Sequence, residues 1–257
     1  MCNASRLVGV SAADITRRRA IPEQIGLSQL FKMFNIIRFT PSNTWYYPAS
    51  VELGNLANTK LYVPHTEIHI PLGASRVGGP AWDVPALFAP PSDMQFAAQL
   101  KLEDFSAFDS GNLLPRSGFL YFFIGGYGNE GKVIFADCAT SDLECKIIEH
   151  EKWFWDGSLI ENIFAEAESL ESRYVDGPGH EKEWDDFAGV EKSKIYGIYT
   201  HCQMDEKEIL SITNSSRLLL LQIGEDFTGE GVWSVLIEKA DLKNRDFSCC
   251  TFEWGQS

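Results

Sequence analysis

The sequence predicts an α+β fold: β-rich, with largely antiparallel sheets built from an internally duplicated unit, helices at the N-terminus and one helix in mid-chain. Three observations predict it. Short apolar runs bounded by Gly and Pro dominate the chain, which is the patterning of strands. Helical spacing of apolar residues occurs in the first forty residues and again over 158–174. Two stretches, about 70–137 and 194–254, carry one order of features twice. Residues 1–257 are read as a single domain whose N-terminal helical part spans 1–44.

Taken in order, Ser11 caps a helix running to Arg19, with Asp14 in the first turn, where a negative charge suits the helix dipole. Pro22 fits the first turn of a second helix, and Ile25, Leu27, Leu30, Phe31 and Phe34 form its apolar, core-facing stripe. Pro41 ends this region. From 45 to 70 the pattern turns to short strands, including 62–63 and 68–70, with Pro64 and Pro71 as breakers. A loop rich in Gly and Pro, from Gly73 to Pro91, leads to strands at 94–102, 118–124 and 132–137. Leu159, Ile163, Phe164, Ala167 and Leu170 follow helical spacing, and Gly177-Pro178-Gly179 stops that helix. Residues 194–199 read as extended. The continuous apolar run 218–223 reads as a strand buried on both faces, followed by another at 232–238. Asp241-Leu242 begins a turn or short helix, and 249–254 forms a last strand.

The duplication is read from side chains. Phe96-Ala97-Ala98-Gln99-Leu100 is followed by Glu103-Asp104-Phe105 and by Gly118, which opens the strand to Ile124. Leu219-Leu220-Leu221-Gln222-Ile223 is followed by Glu225-Asp226-Phe227 and by Gly231, which opens the strand to Ile237. Upstream, Val77-Gly78-Gly79-Pro80 stands beside Tyr196-Gly197-Ile198-Tyr199.

The same residues resemble the YwqG-like family. Ser75-Arg76-Val77-Gly78-Gly79-Pro80 is similar to its Ser-Lys-aromatic-Gly-Gly-x-Pro opening, and 94–102 to its Phe-Leu-Ala-Gln-Ile strand. Leu114-Pro115-Arg116-Ser117-Gly118-Phe119-Leu120-Tyr121-Phe122-Phe123 resembles its Leu-Pro-x-x-Gly-x-Leu-Tyr-Phe-Phe motif. Leu219-Leu220-Leu221-Gln222 and the close Asp241-Leu242-Lys243-Asn244-Arg245-Asp246-Phe247 complete the series. Thr228-Gly229-Glu230 and Ile198-Tyr199-Thr200 stand where the family has Trp-Gly-Asp and Gly-Tyr-Pro. The resemblance covers 75–254. It implies an α+β fold with substantial antiparallel sheet and supplies no activity. Some relatives resemble immunity proteins that neutralise toxins.

The formal net charge of −14 repels phosphate backbones, so no nucleic-acid partner is expected and a basic protein partner suits the surface. Arg17-Arg18-Arg19 reads as a solvated helix face. Apolar runs fall far short of the ~20 residues that cross a bilayer, and no N-terminal signal pattern is seen, so a cytoplasmic protein is expected. The six cysteines form no C-x-x-C pair and read as thiols of a reducing compartment. No metal or cofactor is expected, and composition leaves the oligomeric state open.

Catalytic patterns find little support. No G-x-S-x-G elbow occurs. His201 and Cys202, adjacent on a strand, would face opposite ways. His65 and His69 have helical ligand spacing in a segment that reads as strand, and His180 lies in an acidic loop. Gly125-Gly126-Tyr127-Gly128 reads as a hairpin loop. The candidate ligand-binding residues are Ser75, Arg76, Gly78, Gly79, Gln99, Gln222 and Asp226. Arg76 offers a planar donor fork, and the two glutamines are polar on apolar strands. They either satisfy backbone groups in the core or form a polar cluster where the halves meet. Arg76 is expected to face Gln99, Gln222 or Asp226, with an Arg76–Asp226 ion pair as the purely structural outcome. The function expected is that of a non-enzymatic intracellular protein-binding module, of the toxin-neutralising kind. The alternative is an enzyme or small-molecule binder with a polar site between the halves.

Overall fold

The computed structural model describes residues 31–50, 60–149, 152–170 and 189–256. The helices expected before residue 31, the stop at 177–179, Cys2 and His180 lie outside these residues. Eleven described strands form one sheet. They are β1 (Met33–Tyr47), β2 (Leu61–Pro64), β3 (Arg76–Val77), β5 (Gln95–Lys101), β6 (Phe119–Gly125), β7 (Glu130–Ala136), β9 (Gly157–Ser169), β10 (Lys194–Ile195), β11 (Arg217–Ile223), β12 (Val232–Glu238) and β13 (Thr251–Gly255). Their order is β13-β12-β11-β10-β1-β9-β3-β5-β6-β7, with β2 alongside β1 in parallel and every other pair antiparallel. A separate antiparallel pair joins β4 (Ala81–Pro85) to β8 (Leu143–Ile147). The described helices are short: α1 (Leu102–Ser106), α2 (Glu206–Thr213), α3 (Glu225–Thr228) and α4 (Lys239–Asn244).

Two expected helical regions are strand. The mid-chain helix is instead β9, and residues 33–44 of the expected helical part belong to β1. The reason lies in the spacing. Leu159, Ile163 and Ala167 are four apart, and a step of four keeps residues on one face of a strand as well as of a helix. Each strand is the other's long partner, from Met33 opposite Ser169 to Tyr46 opposite Gly157. Pro41 does not end the element. It sits at a register shift of the β1–β9 ladder, where a missing N–H is tolerated. Residues 68–70 are irregular rather than strand; the chain turns there, with Glu67 N donating to Pro64 O.

The core is centred on β1. The ring of Phe39 lies 5.7 Å from Phe105 and 5.8 Å from Phe227, so the apolar ends of both Glu-Asp-Phe turns pack on one strand. Burying aromatic rings of this size contributes about 2–3 kcal/mol each. Both ends of the sheet curl towards each other. Trp233 Nε1 donates to Gly128 O at 3.0 Å, and Trp254 N donates to Asn129 Oδ1 at 3.1 Å. Cys138, Cys145, Cys202, Cys249 and Cys250 are free thiols. Among the described residues no cluster of three or more His, Cys, Asp or Glu is placed to hold a metal. None of the described helices is long and apolar enough to cross a membrane.

Candidate functional site

Arg76 is fully buried on β3, directly opposite Gln99 of β5. A charge in that position survives only with a complete set of partners. Nε donates to Ala74 O at 3.1 Å, Nη1 to Ala81 O at 3.2 Å, and Nη2 bonds the Asp83 carboxylate of β4. Asp83 also accepts from Gly73 N at 2.7 Å. Gln99 closes the ring: Oε1 accepts from Asp83 N at 2.8 Å, and Nε2 donates to Ala74 O at 3.2 Å. Tyr121 OH donates to Asp83 O at 2.6 Å. Beside this pin, Ser75 Oγ accepts from Lys101 N at 2.9 Å. Gly78 has φ +64°, and a Cβ there would run into the Trp155 carbonyl. Tyr46 OH donates to Gly78 O at 3.1 Å, and burial pushes the Tyr46 phenol up to about 12, against the pull of Arg76.

The structure therefore brings Ser75, Arg76, Gly78, Gly79 and Gln99 together and leaves Gln222 and Asp226 apart from them. The expected Arg76–Asp226 ion pair does not form. β4 returns over Arg76 and delivers Asp83 first, while Asp226 lies 3.7 Å from Arg38 of β1. Asp226 accepts from Ser193 Oγ at 2.5 Å and from Ser193 N at 3.2 Å. Burial raises its carboxyl to about 6 despite those bonds and Arg38.

A second buried cation occupies β10. Lys194 pairs opposite Gln222 of β11 and is 1% exposed. Its Nζ donates to both Glu168 oxygens, at 2.7 and 2.9 Å, and to Ile198 O at 2.9 Å. Ile198 N also donates to Glu168. Ser193 Oγ accepts from Gly224 N at 2.9 Å, as Ser75 Oγ does from Lys101 N. Gln222 Nε2 donates to Lys192 O at 2.6 Å, but its Oε1 and the neighbouring Ser234 Oγ have no partner among the described residues. Sequence reasoning set Tyr196 beside Val77. The ladders set Lys194 beside Arg76, which moves Tyr196 beside Gly78, one residue along. The signal it missed was a Ser followed by a cation, Ser75-Arg76 and Ser193-Lys194.

Next to this second cation the molecule opens. A cleft of about 410 Å³ lies between the start of β1, the loop 108–113 after α1, and the start of β11. Tyr196 forms one wall, with φ +67°, and Gly197 follows at φ +90°. The loop opposite is shaped by Asp109, whose carboxylate accepts from Leu113 N at 2.6 Å, Leu114 N at 2.7 Å and Gly111 N at 3.0 Å. Tyr196 OH reaches the same carboxylate at 3.5 Å, across 87 residues of chain. Burial raises the Tyr196 phenol well above its ordinary value, so it remains a protonated donor. Asn35 Nδ2 donates to Ser110 Oγ at 3.3 Å on the opposite rim. None of the cleft's residues was a candidate from sequence, because the loop and Tyr196 are far apart in the chain.

No curated protein matches the chain. A family model described as a domain of unknown function (DUF1963) matches residues 75–255, the stretch from the Ser75 loop to the end of β13.

Proposed function

We propose that this chain, which belongs to the DUF1963 family, is a non-enzymatic binding protein that holds a small molecule in the cleft beside Tyr196, where two copies of a duplicated unit meet. The duplication is supported by matching details. Each unit has a Ser–cation pair on its first strand and Gln opposite the cation. Each has a register shift just before that Gln, between Phe96 and Ala98 and between Leu219 and Leu221. Each packs a Glu-Asp-Phe ring on Phe39. These features, with the motifs at 75–80 and 114–123, favour placing the chain with YwqG-like proteins. Free thiols at five described cysteines suit a cytoplasmic setting.

One observation carries the cleft reading. Tyr196 holds a left-handed backbone, φ +67°, where the first unit has Gly78 at +64°. A non-glycine residue there costs of order 1–3 kcal/mol, and such strain concentrates at functional sites. Glycine would make the turn without that cost. The tyrosine supplies instead a wall for the cleft and a phenol that ties the second unit to Asp109 of the first. The groups with most chemical potential are engaged internally, Arg76 with Asp83, Lys194 with Glu168, and Asp226 with Ser193, which favours binding over catalysis. The test is native mass spectrometry of the chain purified from its own cells. A bound small-molecule mass in the wild type, absent from Ser110→Trp, is expected. Identical spectra with no bound mass contradict the reading.

A second reading is a basic protein partner, in the manner of toxin neutralisation. It is favoured by the charge of −14 and by β9. Beyond Ile160, β9 has β1 as its one strand neighbour among the described residues, and Glu161 is an exposed acid on that stretch. Such a stretch accepts an added strand.

A further inference from the structure

The cleft also carries information about the charge of what it holds, an inference that rests on the small-molecule reading above. We infer that its ligand is a small organic anion, a carboxylate or phosphate monoester attached to a flat apolar body.

The chain has 36 Asp and Glu against 22 Lys and Arg, so a cation anywhere on it has acidic neighbours to choose from. Arg38, Arg76, Lys101, Lys192, Lys194 and Arg245 each pair with a carboxylate. Among the described residues Lys60, Arg116, Lys132, Lys146, Lys152, Lys207 and Lys243 have no carboxylate partner either, but they lie apart from the cleft, whereas the equally unpaired Lys32, Arg217 and Lys239 all line it. Two of them are held side by side: Lys239 N donates to Ser216 O at 3.3 Å, next to Arg217. Among the described residues that line the cleft there is one carboxylate, Asp109, and its oxygens are occupied by three backbone N–H groups of its own loop and by the Tyr196 phenol. The cleft is therefore a positive concavity on a strongly negative molecule. Low-dielectric walls focus such a field, and it draws small anions inward while the outer surface repels larger polyanions.

The body of the ligand follows from the remaining walls. Phe34, Phe108 and Tyr196 present rings, and Lys32 Nζ lies 4.7 Å over the Phe34 ring. Phe108 is 37% exposed although its neighbour Asp109 is buried, so an apolar ring faces open space where the loop is most firmly held. A volume of about 410 Å³ stands near the lower end of the roughly 300–1,000 Å³ usual for small-molecule sites. It suits a single-ring metabolite rather than a bare ion or a dinucleotide. Arg217 supplies the planar fork that matches carboxylate or phosphate oxygens, and Lys239 adds a point charge.

The test is isothermal titration of the full chain with phenyl phosphate, benzoate and the neutral benzyl alcohol. At least one anion is expected to bind, more weakly as salt rises. Phenyl phosphate stronger than benzoate identifies a phosphate monoester, and the reverse order a carboxylate. The Arg217→Gln/Lys239→Gln double variant is expected to lose at least tenfold in affinity with its melting temperature unchanged. Lys243→Gln, an exposed charge outside the cleft, is expected to bind as the wild type does. Benzyl alcohol binding as tightly as the anions overturns the charge inference and leaves the cleft reading standing. An equal loss in Lys243→Gln overturns it too, because the attraction is then a property of total charge. No binding by any of the three overturns it as well, and the native-mass comparison with Ser110→Trp then decides separately whether the cleft holds anything.

Discussion

The regions around Arg76 and Lys194 have the same parts and different endings. In each, a serine hydroxyl caps a neighbouring strand end, a buried cation faces a glutamine across an antiparallel pair, and left-handed residues follow. Around Arg76 the ring is complete. Asp83 comes from the adjoining β4, Gln99 uses both ends of its amide, and Tyr46 and Trp155 close over Gly78 and Gly79. Around Lys194 the partner Glu168 comes from the distant β9, Gln222 leaves Oε1 without a partner among the described residues, and Tyr196 opens onto a cleft. The difference is that the loop carrying Arg76 is closed by its own bonds, whereas Tyr196 and Gly197 after Lys194 line a cleft. Hydrogen bonding completed inside the protein leaves nothing for a partner to satisfy.

The comparison breaks most visibly at the cations. Arg76→Met leaves Asp83, 1% exposed, without a counter-charge and is expected to cost about 3–5 kcal/mol in urea unfolding. Lys194→Met should cost less, about 2 kcal/mol, because the Glu168 side chain is 11% exposed and can regain water. Equal losses would remove the distinction between a closed pin and an open one.

Asp226 gives the next largest effect, through pH. Its folded value of about 6 lies above the ordinary 3.8, so the folded chain takes up a proton more readily than the unfolded one. The wild type should therefore gain stability as pH falls from about 6.5 towards 4, by up to about 2–3 kcal/mol from this group. Arg38 lies beside Asp226 and pairs in turn with Glu166, which Lys192 also approaches. Asp226→Asn should lack the gain. Parallel pH profiles for the two proteins would show that Asp226 is no more costly to ionise in the fold than outside it.

The glutamines sharpen the contrast further. Gln99→Met removes bonds at both ends of the amide, and Gln222→Met removes them at one, so the first should be less stable than the second by about 1 kcal/mol. The smallest change in stability is expected for Tyr196→Gly. Relief of the left-handed backbone offsets the lost ring, and the net change should stay within about 1 kcal/mol. Small-molecule binding should nevertheless be lost.

Much of the sheet was readable before folding was considered. Strands β5, β6, β7, β11, β12 and β13 fall where short apolar runs lie between Gly, Pro and polar turns. The central pair was not readable. Spacing by four in 159–167 fits both periodicities, and its arbiter, the long partner β1, lies more than a hundred residues upstream. Five of the seven candidate residues came together because a cation beside paired glycines in an apolar stretch signals tight burial. Asp83 went unnoticed, since nothing local sets one acid among 36 apart. The cleft was invisible for a similar reason: Asp109 and Tyr196 meet only through the sheet order that sets β10 and α1 around β1.

The most direct test of this account is a backbone-amide NMR titration of the wild-type chain with phenyl phosphate. Saturable shifts are expected at Ser110, Gly111, Gly197 and Leu219 around the cleft, with Gly78, Gly79 and Gln99 unmoved. Shifts centred on Ser75 to Gly79, with Gly111 and Gly197 silent, would contradict it and return the site to the Arg76 loop.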